Sequence, residues 1–117
     1  MELNHHVITI KGQPIPAKRV TRHTLWMAKE YAEYKQFVAW QLRKYLHPKV
    51  AITEDITIKR LAFYRRTNRR ADIDNLLKSI MEALALSGYI ANDKQVVGVE
   101  NMTVEHGSDN PRVEITL

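Results

Sequence analysis

Single-residue alternation of apolar and polar positions marks the strands of this chain, and apolar positions at steps of three and four mark its helices. His6, Ile8 and Ile10 alternate with Val7, Thr9 and Lys11, which predicts a first strand. Gly12-Gln13-Pro14-Ile15-Pro16 ends it, because proline offers no ladder donor and glycine relaxes the backbone. Residues 17–24 follow as an extended loop or a short edge strand. Trp26 to Leu46 then reads as a long helix, with Met27, Tyr31, Tyr34, Val38, Leu42 and Tyr45 on one face and Phe37 and Trp40 near its edge. Aromatics at that spacing belong to a core more often than to a base-stacking platform. Pro48 stops the helix.

Ile56 to Tyr64 predicts a second strand, and Asp74 to Ser87 a second helix with a buried stripe of Ile73, Leu76, Leu77, Ile80 and Leu84. Gly88 suits the left-handed residue that closes a helix. Gln95 to Glu105 and Arg112 to Leu117 predict two more strands, joined through the polar turn 106–111 as a hairpin. The order strand, helix, strand, helix, strand, strand describes a small α/β chain of the α+β type. Its expected architecture is a mixed sheet of about four to five strands covered by two main helices. With no internal repeat, low-complexity tract or linker, residues 1–117 read as a single domain.

Composition narrows the chemistry. The 117 residues contain no cysteine, which excludes disulfides, thiolate metal sites and thiol catalysis. No secretory pattern or membrane-spanning apolar run is read, so a cytoplasmic location is expected. The five histidines, His5, His6, His23, His47 and His106, show no helical ligand spacing. The net charge of +5 conceals a split: residues 1–70 hold 15 Lys/Arg and 5 Asp/Glu, and residues 71–117 hold 3 and 8. A basic half suits a polyanionic partner, although many basic domains are merely soluble.

The change of sign falls at Arg69-Arg70-Ala71-Asp72-Ile73-Asp74-Asn75-Leu76-Leu77-Lys78. Two carboxylates two residues apart, in a chain still extended, stand about 6–7 Å apart on one side. They repel unless a cation lies between them or one takes a proton. Such hard oxygen ligands suit Mg²⁺ or Mn²⁺. The bland alternative has Asp72 capping the helix, Asp74 favouring its dipole and Lys78 pairing with Asp74 one turn on. A calcium loop is excluded, because leucines occupy positions 76 and 77 where an oxygen ligand and a turn glycine are needed. Asp93, in a loop beyond the helix, either folds back beside the helix start or lies far from it. Arg65, Arg66, Arg69 and Arg70 abut the acids, and this surplus of guanidinium over carboxylate favours phosphate binding. Glu82, Glu100, Glu105, Asp109 and Glu114 are expected to be ordinary solvated charges.

Arg70 to Lys78, with Ala83-Leu84, Gly88-Tyr89 and Asn92-Asp93-Lys94-Gln95-Val96-Val97, closely resembles the RusA family of Holliday-junction resolvases, common in phages and prophages. The resemblance is good over about Ile56 to Val104; before residue 50 only the general layout agrees. It implies an endodeoxyribonuclease that works as a small homodimer and cuts four-way DNA by paired symmetric nicks with Mg²⁺. It assigns catalytic and metal-binding roles to Asp72, Asp74 and Asp93, and a catalytic role to Lys78. Asn92 departs from family members that carry a second acid there.

The expected function is therefore a metal-dependent endonuclease on branched DNA, in recombination and repair. Arg65, Arg66, Arg69 and Arg70 would hold phosphates, and Lys18, Arg19 and Arg22 would extend the basic track. The rival readings are a non-catalytic basic DNA-binding module, whose acids only cap and compensate, and an interaction protein whose charge split drives self-association.

Overall fold

The computed structural model describes residues 7–17, 25–47 and 49–117, with side chains in the first helix described from residue 28 onward. Its elements are β1 (Val7–Lys11), α1 (Leu25–Leu46), β2 (Ile56–Ile58), β3 (Arg60–Tyr64), α2 (Ile73–Ser87), a 3-10 turn (Asp93–Gln95), β4 (Val96–Val99), β5 (Met102–Glu105) and β6 (Arg112–Thr116). They fall into two compact units, one of strands and one of helices. The fold class is α+β.

In the strand unit, a four-stranded mixed sheet runs β1-β6-β3-β5, and β2 pairs with β4 in a separate two-stranded sheet. β6 is antiparallel to both β1 and β3, whereas β3 and β5 are parallel. Alternation holds in β1, where Ile8 and Ile10 are buried and Val7 and Lys11 are exposed. Two expectations change. The run Ile56–Tyr64 divides at Lys59, its first part pairing with β4 and its second joining the larger sheet. Gln95–Glu105 divides likewise, into β4 and β5. The expected β5–β6 hairpin is absent, because β3 lies between the two strands and satisfies the edges of both. On one face of this sheet Glu114 accepts from Arg112 Nε at 2.8 Å and from Arg60 Nη1 at 3.1 Å, and the Arg112 guanidinium lies 3.8 Å from the Tyr64 ring centroid.

In the helix unit, α1 packs on α2. Tyr31, Tyr34, Val38 and Leu42 of the predicted stripe are buried, but Tyr45 at its end is exposed. Phe37 and Trp40 stack on each other at the surface, with Lys44 Nζ 3.9 Å from the Trp40 ring centroid. The α1 helix closes through His47, whose φ of 46° lies in the left-handed region and whose N–H donates to the Arg43 carbonyl. In α2, Leu76, Ile80, Ala83 and Leu84 are fully buried. Ile73, expected inward, is exposed, although it stands in phase with Leu76 and Ile80 at the first position of the helix. Gly88 takes φ 86° and donates its N–H to the Ala85 carbonyl, as predicted for a left-handed terminus.

Candidate active site

The α2 helix begins one residue earlier than its pattern predicts, at Ile73. Asp72 is its N-cap, extended at φ −65° and ψ 127°. Its main-chain carbonyl accepts from the N–H groups of Asn75 and Leu76, both at 3.1 Å. Its carboxylate makes no cap hydrogen bond; it accepts instead from the Asn75 side-chain amide at 3.4 Å. Asp72 is thus a capping residue whose carboxylate does not cap. Both Asp72 and Asp74 are exposed, and because the chain turns helical between them, they do not share one side of an extended segment.

Lys78 lies one helical turn beyond Asp74 and is also exposed. Among the described residues, neither Asp74 nor Lys78 has an ion-pair partner. The modest stabilisation expected of such a pair, about 0.2–0.5 kcal/mol, is not realised here.

Asp93 opens the 3-10 turn. The preceding Asn92 and the following Gln95 cap that turn reciprocally: Asn92 Oδ1 accepts from the Lys94 N–H at 2.9 Å, and Gln95 Oε1 accepts from the Asn92 N–H at 2.8 Å. Gln95 also donates to the Ile52 carbonyl at 2.7 Å, which ties the turn to the chain after α1. The Asp93 carboxylate is left out of the cap. It lines an open cleft of about 310 Å³ together with Glu82 and Leu86 of α2 and Lys35 of α1. Lys35 Nζ lies 3.1 Å from Glu82 Oε1 and 5.1 Å from the centroid of the Tyr31 ring. Burial pushes the Tyr31 phenol well above the usual tyrosine range, and the negative charge of Glu82 raises it further.

The predicted acids therefore occupy two places in the helix unit: Asp72 and Asp74 at the start of α2, and Asp93 beside its second half. Glu82, which lines the cleft with Asp93, is eight residues beyond Asp74, about 12 Å along the helix axis. Among the described residues, no three His, Asp or Glu side chains are gathered closely enough to hold a metal ion. In chemistry the acids fit a hard divalent cation, since among the described residues none of Asp72, Asp74 and Asp93 is tied up in an ion pair.

The arginines divide as well. Arg65 is buried, and its guanidinium donates to the Pro14 carbonyl at 3.4 Å and the Arg69 carbonyl at 2.7 Å, so it braces the backbone instead of facing solvent as expected. Arg66, Arg69 and Arg70 are exposed. Arg66 donates from its side chain to the Asp109 carbonyl at 3.4 Å. Lys18, Arg19 and Arg22 lie outside the described residues.

The family model of endodeoxyribonuclease RusA matches residues 8–117. The chain belongs to the RusA family. No curated protein matches it. RusA proteins are endodeoxyribonucleases, metal-dependent resolvases of crossover junctions, and this chain is an enzyme of that kind. The RusA match runs well beyond the Ile56–Val104 segment in which the motifs were evident, and takes in β1, α1 and β6. For the Asn92 departure from the RusA pattern, the structure supplies a local reason: the amide caps the 3-10 turn through its Oδ1.

Three residues near Asp93 escaped the sequence reading. Glu82 was expected to be solvated, but its side chain is only 24% exposed and pairs with α1. Lys35 looked like an ordinary polar-face residue, and Tyr31 one member of a core stripe. The available signal was the spacing of Asp74, Lys78 and Glu82, four residues apart along one face of α2.

Proposed function

We infer that the chain is a Mg²⁺-dependent, structure-specific endodeoxyribonuclease of 117 residues in one RusA-like domain, cutting four-way DNA junctions by paired symmetric nicks. The observation that carries this reading is the Asp72 carboxylate, which sits at a helix start without capping it, beside an Asp74 and a Lys78 that do not pair. Side chains retained only for helix stability would make those contacts.

Asp72 and Asp74 at the start of α2, and Asp93 beside its second half, would hold one or two Mg²⁺ ions, with Mn²⁺ as a substitute; when bound, the metal would activate water and neutralise charge on the phosphoryl oxygens. Lys78 stabilises the charge that develops on the phosphoryl oxygens. The attacking water oxygen forms a new bond to phosphorus as the bond to the leaving sugar oxygen breaks, and that oxygen takes up a proton. Arg66, Arg69 and Arg70 bind backbone phosphates in the guanidinium fork geometry, and Lys18, Arg19 and Arg22 extend the track. A homodimer would set two such centres on opposed strands. The cellular role is recombination and repair in the cytoplasm of a bacterium or of a phage-infected host. Among the described residues, no helix is long and apolar enough to cross a membrane.

The test compares a synthetic four-way junction with duplex and single-stranded DNA of the same sequence in Mg²⁺, alongside sedimentation of the protein at micromolar concentration. Paired nicks confined to the junction, from a dimer, are expected. Tight, salt-sensitive binding with no cleavage in Mg²⁺ or Mn²⁺ would favour a binding module instead.

A further inference from the structure

The aromatic side chains of α1 fall into two sets, and only one of them belongs to the core. Tyr31 and Tyr34 are buried, whereas Phe37 and Trp40 are 44% and 51% exposed. Those two rings lie nearly parallel, at 18°, with centroids 6.4 Å apart, and Lys44 Nζ stands 3.9 Å from the Trp40 centroid. Steps of three and four place Phe37, Trp40 and Lys44 on one face of the helix. Two half-exposed rings of this size present about 200 Å² of aromatic surface. That is about a quarter of the ~800 Å² that each partner contributes to a stable protein interface. The charge around the rings has one sign. Glu33, one turn before Phe37, is the last acid until Glu54, and Lys35, Arg43, Lys44 and Lys49 fall between them. Lys35 pairs with Glu82, but among the described residues neither Arg43 nor Lys44 has an ion-pair partner. Arg43 gives one donor to the Leu86 carbonyl at 2.9 Å, which leaves the rest of its fork.

We propose that Phe37 and Trp40 form a stacking platform for unpaired DNA bases, with Lys44 and Arg43 meeting the phosphates of the stacked strand. The proposal deepens the nuclease reading above and rests on it, since that reading makes DNA the substrate. Every base has a π-face, so exposed rings beside cations take up a single strand with little regard for its sequence. A second protein chain fits this face less well. The apolar area is small, and docking would bury Lys44, a residue type depleted at protein interfaces. An intact duplex keeps its bases stacked on one another, whereas a strand opened at a branch point has bases to offer. The platform therefore favours branched DNA over duplex without reading sequence.

The test uses the intact protein in EDTA, so that nothing is cut, and measures its binding to a labelled oligothymidylate and to an abasic strand of the same length. Both strands carry the phosphates and only the first carries bases. The wild type is expected to bind the oligothymidylate at least about tenfold more tightly. Trp40→Ala and Phe37→Ala should each lose most of that preference, and Trp40→Phe, which keeps a π-face, should retain it. Trp40→Leu, apolar without a π-face, should also lose it and covers the case in which the alanine variant is misfolded. Lys44→Gln should weaken binding to both strands alike and lower the salt slope by about 0.7. Three results would overturn the proposal. The first is equal binding of the two strands by the wild type, and the second is an unchanged preference in the folded alanine variants. The third is a dimer that Trp40→Ala dissociates in sedimentation, which would show that a second copy covers the rings. Cleavage of a four-way junction in Mg²⁺ separates the two readings: cleavage without base-dependent binding sinks only the platform, and base-dependent binding without cleavage sinks only the junction nuclease.

Discussion

Asp72 can be tested by two substitutions that separate its possible roles. Asparagine keeps full capping capacity and loses only the charge, whereas alanine loses both. A carboxylate that caps its helix contributes typically about 1 kcal/mol, which for a chain of this size is about 4 °C in Tm. Here the carboxylate makes no cap hydrogen bond, and its contact with the Asn75 amide is exposed and 3.4 Å long. What remains for stability is the attraction of its charge to the helix start, about 0.5 kcal/mol or about 2 °C. Both Asp72→Asn and Asp72→Ala should therefore melt within about 2 °C of the wild type. Both should also cut a four-way junction at least about 100-fold more slowly, beyond the usual cost of losing an outer-shell partner. The assays are a thermal melt and single-turnover cleavage in Mg²⁺. An Asp72→Asn variant with full cleavage, beside an Asp72→Ala variant that loses about 4 °C or more, would show that the residue is a cap after all.

Four further outcomes follow from the local geometry and contacts. Arg112, and after it Arg60, hold the Glu114 carboxyl below its usual range, with burial partly opposing them; the stabilisation is present above the ordinary value of 4.5 and is lost as pH falls through the lowered one, so Glu114→Gln should flatten the acid limb of a pH-dependent melt. Arg70→Ala should weaken junction binding for all sequences and lower the salt slope by about one while leaving the urea midpoint unchanged. Arg65→Ala should do the reverse, costing about 2–3 kcal/mol in urea because two carbonyls lose a charged donor. Gly88→Ala has open space around its new methyl group but a φ of 86°, so it should cost about 1–2 kcal/mol in a thermal melt through backbone strain alone.

How far the sequence reveals the fold depends on whether the information is local. Periodicity reported both helices and the faces of β1 and β6, because burial on one side is a property of each segment. It did not report pairing. Ile56–Tyr64 alternates through Lys59 with little sign that the chain changes sheets there, since alternation records which face is buried and not which strand lies alongside. The polar turn 106–111 favours a hairpin by its own chemistry, yet β3, from far earlier in the chain, inserts between β5 and β6. The site divides in the same way. Asp72, Asp74 and Lys78 were legible because residue type and spacing carry their chemistry. The surroundings of Asp93 were not, because they are made by packing between α1 and α2: Lys35 and Glu82 are 47 residues apart in the chain.

Asp72 and Asp93 share a pattern that neither shows alone. Each stands where a helical segment begins, a position that invites a carboxylate to accept the unpaired N–H groups. At the 3-10 turn that work falls to Asn92 and Gln95, and at α2 the main-chain carbonyl of Asp72 takes two N–H groups while the side chain takes none. A chain shaped for stability alone would turn the Asp72 carboxylate back onto the helix, for about 1 kcal/mol. Carboxylates that do not cap and that, among the described residues, have no ion-pair partner keep their oxygens available, which is what a cation-dependent nuclease requires and a solvated helix start does not. The uncapped start of α2 thus connects the local backbone to the chemistry of the RusA family, and it makes helix stability and cleavage separable in a single residue.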